Sequence, residues 1–170
     1  MNAIQLHLVL SHVPVIGLLF ASALFIYGVA KKNIDMQRFS LGAFVALAVL
    51  TLPVYFSGDA VEEVVEALPG ISDDLVEPHE EAAGAALIGM ELLGAAALAG
   101  LIAFRRRSQL PRGFLQGVLG LTTVASLLMV WTAHRGGQIR HTELTVASQL
   151  IVPPGRGYLP HDASEREAHP

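Results

Sequence analysis

Four long apolar runs, separated by short polar stretches, set the pattern of this chain. A membrane-spanning helix needs roughly 20 predominantly apolar residues to cross a hydrocarbon core of about 30 Å. The runs meet that requirement and predict helices over residues 4–30, 39–56, 78–104 and 113–131. The expected fold class is therefore all-α, an integral membrane four-helix bundle. The first run stops at Lys31-Lys32 and contains Pro14, which predicts a kink or a restart there. The second has Pro53 near its end and Ser57-Gly58-Asp59 as its stop. The third starts near Pro78, a favoured first-turn residue. It is rich in small residues, and the pairs Ala85/Gly89 and Ala96/Gly100 allow close helix approach, so a central position is expected for it. The fourth ends at Trp131, suited to the membrane interface.

The polar stretches orient these runs. Lys31, Lys32 and Arg38 lie in one short loop, and Arg105, Arg106, Arg107 and Arg112 in the other; together they hold seven of the eleven Lys and Arg. Short basic loops face the cytoplasm. That predicts an N-out/C-out chain in a bacterial inner membrane, with both termini and all seven histidines on the periplasmic or external side. The remaining loop is acidic, with nine Asp and Glu and no Lys or Arg between Asp59 and Glu81. Within it Val61, Val64, Val65 and Leu68 recur at helical spacing opposite Glu62, Glu63 and Glu66. This predicts an amphipathic surface helix between helices 2 and 3, ended by Leu68-Pro69-Gly70 and lying across the outer mouth of the bundle. The expected division is a transmembrane domain over residues 1–141 and an extramembrane tail over 142–170.

Composition agrees: 52% of residues are hydrophobic, only 15% are charged, and the mean hydropathy is +0.51. A soluble domain carries about 25% charged residues. The absence of cysteine excludes disulfides, iron–sulfur clusters and a covalently attached c-type haem. No basic segment precedes the first run, which is too long for a signal peptide and is read as a retained helix. Nothing suggests a nucleic-acid partner. The expected partners are membrane lipids, a periplasmic or membrane redox protein, and other subunits or further copies of the chain.

Candidate chemistry gathers at the outer end. Counted at 1.5 Å per residue from the inner loops, His12 lies about 27 Å up, His134 about 32 Å, and His7 and His79 near 35 and 38 Å. His141 follows about 10 Å beyond His134 if the helix survives Gly136-Gly137. Histidines on facing helices are how bundles hold haem or metal. Haem b needs two imidazoles and room at the porphyrin edge, which Gly84, Ala85 and Gly17 would offer. A non-haem transition metal would recruit a carboxylate such as Glu80 or Glu81. Interfacial histidines that only bind headgroups and loops are the alternative. His7 and His12 are five residues apart, about 140° around a regular helix, so they cannot both face one ligand unless Pro14 distorts the helix.

On depth and neighbours, His12 and His79 rank first, then His141, then His7, with His134 last. Arg140 would clamp a carboxylate or a haem propionate. Met90 and Met129 are read as packing. Glu91, about 20 Å up helix 3, is an intramembrane carboxyl. It is expected to face the bundle interior as a proton site, or to be hydrogen-bonded structurally.

Three stretches carry a family resemblance. They are His7-Leu8-Val9-Leu10-Ser11-His12-Val13-Pro14, the segment from Ser57-Gly58 through Leu68-Pro69-Gly70-Ile71-Ser72 to His79-Glu80-Glu81, and Gly136-Gly137-Gln138-Ile139-Arg140-His141. With these the chain resembles the bacterial four-helix membrane proteins grouped as domain of unknown function 2231. Asp59 stands where one branch of that family has Glu. The resemblance implies a four-helix membrane fold. It places His7, His12, His79 and His141 on motif positions and leaves His134 off them, but implies no activity.

The sequence shows no catalytic triad, phosphate-binding glycine loop or zinc-protease motif. The leading expectation is a membrane subunit that binds haem b or a transition metal at its outer face and transfers electrons, more a binding subunit than an enzyme. The rivals are a cofactor-free structural or assembly subunit of a membrane complex and a small oligomeric transporter using Glu91.

Overall fold

The computed structural model describes residues 3–66 and 73–140, which form four α-helices. They are α1 (Ala3–Ala30), α2 (Ile34–Glu66), α3 (Asp73–Ala103) and α4 (Arg112–Arg140). Residues 1–140 make up one compact unit. Side chains are described from His7 to Gly58, except Leu8, and from Glu77 to Gly137. His141, the tail and the Leu68-Pro69-Gly70 stop lie outside the described residues.

Each helix contains a stretch long and apolar enough to cross a membrane: Val9–Ala30, Ile34–Gly58, Glu77–Ala103 and Arg112–Gly137. Consecutive helices pack side by side, α1 and α4 meet more sparsely, and the diagonal pairs make no close backbone approach among the described residues. The result is a four-helix bundle of the multi-pass membrane type. Its outward face keeps Leu19, Phe20, Val49, Ile88, Leu127 and Val130 exposed. In water such a surface would drive association, whereas in a bilayer it is the lipid contact.

Three elements differ from the sequence expectation. First, α2 does not stop at Ser57-Gly58-Asp59 but runs unbroken through Glu66. The stretch expected to be a separate surface helix is helical from 60 to 66, as an extension of α2 beyond its apolar span. Ser57 does not break the helix because its hydroxyl donates to the Val54 carbonyl, 2.8 Å away and within the same helix. Second, α3 begins at Asp73, so Pro78 lies inside it. Acidic Asp73 and Asp74 suit a helix N-terminus. Third, α4 continues through Gly136-Gly137 to Arg140. Pro14 likewise lies inside a continuous α1.

Small residues set the spacing of the bundle. A Cβ on Gly94 of α3 would stand 2.4 Å from the Cβ of Ala48 on α2. One on Gly100 would stand 2.0 Å from Cζ of Phe114 on α4, and one on Gly89 would lie 2.9 Å from Leu128. α3 thus packs closely on α2 and α4, its backbone making no close approach to that of α1 among the described residues, and α2 has the equivalent place between α1 and α3. The core is largely apolar, with Leu18, Phe25, Leu41, Phe44, Leu93, Ala97 and Val118 buried, and the buried hydroxyls of Ser22, Ser40 and Thr122 are bonded to carbonyls of their own helices. Phe25 and Phe44 meet edge to face at 5.7 Å, and Phe104 and Phe114 at 5.1 Å.

The loop end of the bundle is tightly bonded. α1 closes with two backbone bonds, Asn33 N to Gly28 O at 2.9 Å and Lys32 N to Val29 O at 3.1 Å, with Lys32 at φ 53°. This is a Schellman closure with lysine in the place usually taken by glycine. The Asn33 side-chain oxygen then caps α2, accepting from Asp35 N and Met36 N at 3.1 Å each. Buried Gln37 donates to the Gly28 carbonyl at 3.0 Å. Arg38 reaches the far end of α3 and donates to the carbonyls of Phe104, Arg105 and Arg107 at 3.3, 3.0 and 2.9 Å. These carbonyls belong to the turn that follows α3, and the guanidinium ties that turn to α2.

Candidate functional site

The opposite end is built from polar side chains. On α1 the buried positions Pro14, Leu18, Ala21, Phe25 and Gly28 recur at alternating four- and three-residue steps. The same steps continued outward reach Ser11 and then His7, both half-buried. On α3 the buried series Ala97, Leu93, Met90, Ala86 and Ala82 ends outward at His79, also half-buried. Both histidines therefore stand on the faces that line the bundle. His12 lies on another face of α1 and is exposed, as are His134 and Glu80. The structure brings His7, rather than His12, toward His79. His7 is near enough for its charge to act on His79.

Each ring is held through the same nitrogen. His7 Nδ1 is 2.9 Å from Ser57 Oγ on α2. The single Ser57 proton is already directed to the Val54 carbonyl, so the ring must donate. His79 Nδ1 is 3.2 Å from the Thr132 carbonyl on α4, which can only accept. Thr132 is in turn fixed to α3, its hydroxyl lying 2.8 Å from the Ala82 carbonyl. The His79 ring thus carries a proton on Nδ1, and the His7 ring does so where the Ser57 hydroxyl donates to Val54. Burial pushes the pKa of His7 below its usual value, with the Val54 carbonyl drawing it partly back up. Neutral imidazole is the form that binds metal.

The glycines beside the rings have a steric role. A Cβ on Gly136 would stand 3.0 Å from Cε1 and 3.4 Å from Nδ1 of His79. One on Gly58 would stand 3.5 Å from Cε1 of His7. Gly136 therefore lets the His79 ring lie against α4. Gly17, expected to leave room for a porphyrin edge, is closed off by Leu47, whose Cδ2 would be 2.5 Å from an added Cβ. Gly84 faces the Tyr55 hydroxyl, 3.8 Å from an added Cβ.

Glu91 is half-buried. Seven residues separate it from Gly84, which puts it on the α2-facing side of α3 and away from the His79–Met90 series. Its Oε1 is sealed from solvent with no hydrogen-bond partner among the described residues, as is Nε of half-buried Arg135. The side chain of Arg140 lies outside the described residues. Among the described residues no three His, Cys, Asp or Glu side chains converge on one point.

Sequence reasoning passed over Ser57 and Thr132, the groups that fix the rings. No known family model, characterised protein or solved structure matches the chain.

Proposed function

We propose that the chain is a membrane subunit whose outer end holds a transition metal or the iron of haem b through His7 and His79, in the service of electron transfer. The observation that carries this reading is the shared orientation of the two imidazoles. Each spends Nδ1 on a protein oxygen and keeps Nε2 for a ligand. Metal-binding histidines characteristically donate their second nitrogen in this way, which fixes the ring and raises its basicity. Two imidazoles suit an axially ligated haem iron or a metal content with few donors.

The basic loops make the opposite end cytoplasmic by the positive-inside rule, so the histidine end faces the periplasm or its equivalent. A redox protein there, or within the membrane, would be the electron partner. The motif stretches beginning at His7, Ser57 and Gly136 that resemble domain of unknown function 2231 each contribute a residue to this end.

The test is an absorption spectrum and metal analysis of the full chain purified in detergent from its native membrane. A haem band or a stoichiometric metal, lost in His7→Ala and His79→Ala, is the expected result. If the wild-type chain carries neither, the reading fails and a structural or assembly role in a membrane complex takes its place.

A further inference from the structure

We infer that the two basic turns form one platform that binds the phosphate of anionic phospholipids in the leaflet where these helix ends lie. The platform is at the end of the bundle opposite His7 and His79, and its binding is independent of theirs.

The two turns are one surface. Arg38, near the start of α2, donates to the carbonyls of Phe104, Arg105 and Arg107 at 3.3, 3.0 and 2.9 Å. The α1–α2 turn is fixed to the same part of α2 by the Asn33 side chain. Phe104 meets Phe114 edge to face at 5.1 Å, which holds the start of α4 beside the second turn. Lys31, Lys32, Arg105, Arg106, Arg107 and Arg112 therefore stand exposed around a single tie.

Charge calls for a counter-ion from outside the bundle. Against these six cations and Arg38 the two turns hold one carboxylate, Asp35. The next on α2 is Asp59, about 32 Å along the helix from Arg38. The next on α3 is Glu91, about 21 Å before Arg105. α1 and α4 carry none. Guanidinium groups bind phosphate oxygens in pairs, and ammonium groups bind them as point charges. A zwitterionic headgroup would bring its own ammonium into this positive field, whereas an anionic one would not.

Height selects lipid over a soluble partner. Lys31 and Lys32 directly follow the first apolar span, Arg105, Arg106 and Arg107 lie just past the third, and Arg112 opens the fourth. Two of these side chains are drawn back over rings. Lys31 Nζ is 5.9 Å from the centroid of exposed Tyr27, one helical turn toward the span, and the Arg107 guanidinium is 5.8 Å from that of Phe104. Cations beside aromatic rings at the ends of apolar spans sit at headgroup level. An acidic protein arriving from water would be met by cations reaching outward.

The test uses the full chain in detergent, freed of lipid and mixed with dioleoyl phosphatidylglycerol, phosphatidylethanolamine or phosphatidylcholine, with bound lipid counted by native mass spectrometry. Phosphatidylglycerol is expected to be retained more than about tenfold better than either zwitterion. It should also raise the unfolding temperature, as a ligand of the folded state does. Glycerol phosphate, the same phosphate without acyl chains, should do neither at equal concentration. Changing Lys31 and Lys32 together to Gln, or Arg105, Arg106 and Arg107 together to Gln, should each cut the preference by more than about fivefold, the worth of one cation near an anionic surface. Arg135→Gln, toward the other end of α4, should leave it unchanged. Unfolding curves without lipid establish that the variants are folded.

Equal retention of the three lipids by the wild-type chain overturns the inference. So does an undiminished preference in a folded variant lacking all five charges, or an equal loss in Arg135→Gln. Stabilisation by glycerol phosphate as strong as by phosphatidylglycerol would show a site for free phosphate instead. Binding of poly-glutamate by a chain that shows no preference among the lipids would mark the platform for an acidic protein, and also overturns it.

Discussion

The two ends of the bundle handle their polar groups in opposite ways. At the loop end, polar atoms are used up on backbone: Asn33 caps a helix, Gln37 binds the Gly28 carbonyl, and Arg38 serves three carbonyls at the end of α3. At the far end each of two imidazoles is held through Nδ1 by a group on another helix, Ser57 for His7 and Thr132 for His79. Packing follows the same division. The loop half has edge-to-face phenylalanines, closely pressed glycines and hydroxyls bonded within their own helices, whereas at the far end His7, His79 and Thr132 bond from one helix to another. If the far end binds the proposed ligand, stability and ligand binding lie at different ends of the bundle axis, and substitutions at the two ends should separate them in experiment.

The largest loss of stability is expected from Gly100→Ala. Its Cβ would overlap the Phe114 ring, and overpacking of this kind costs about 1–3 kcal/mol or more. Unfolding in detergent should show that loss with ligand content per folded chain unchanged. Arg38→Ala comes next. It leaves the carbonyls of Arg105 and Arg107, in the segment after α3, to water or headgroups, and hydrogen bonds from a charged donor are worth roughly 1.5–3 kcal/mol before solvent replaces them. A net loss of about 1–2 kcal/mol is expected, again without effect on the ligand. A variant at either inner position that strips the ligand from folded protein would break the separation.

Gly136→Ala should behave the other way. The added methyl meets the His79 ring at 3.0 Å, so the ring shifts by a few tenths of an ångström. Stability should fall by less than about 1 kcal/mol, while ligand affinity falls about tenfold, as for other disturbed supporting groups. Equal affinity in wild type and Gly136→Ala would show that the ring position is immaterial.

The smallest effect is the pH dependence from His7. Its folded pKa lies below the ordinary value of 6.5, so the unfolded chain binds more protons between the two pKa values. Stability from this group is present above pH 6.5 and declines as the pH falls through 6.5 toward the lowered folded value. The decline should be absent in His7→Gln. An unchanged acid profile in that variant would remove His7 from the half-buried setting described above.

The spans were legible because an apolar run must be long to cross a bilayer, and the positions of the two basic loops were equally plain. Element ends were less so. Ser57-Gly58 and Gly136-Gly137 read as stops, since a helix-interior glycine costs about 1 kcal/mol locally. Here Ser57 bonds within α2, and Gly136 gives the His79 ring its place against α4. The histidine layer was visible as a set of heights, but height does not say which way a ring faces. Ranking His12 above His7 followed depth and the nearness of Pro14. The four-three spacing from Gly28 back to His7 held the directional information, and it places His12 on another face. Ser57 and Thr132 could not be found from the sequence, because a hydroxyl that supports a distant histidine has no local signature.

The reach of Arg38 bears on how the bundle comes together. Its acceptors lie 66 to 69 residues later in the chain. During synthesis the α1–α2 hairpin enters the bilayer first, and the Arg38 guanidinium rests among headgroups and water. Only when α3 has arrived with its C-terminal turn at the right depth do its carbonyls replace those contacts. Arg38 therefore acts as a gauge between the two hairpins. A third helix inserted one turn too deep or too shallow, by about 5.4 Å, presents no carbonyls to it, and the later hairpin docks with both its ends unmatched.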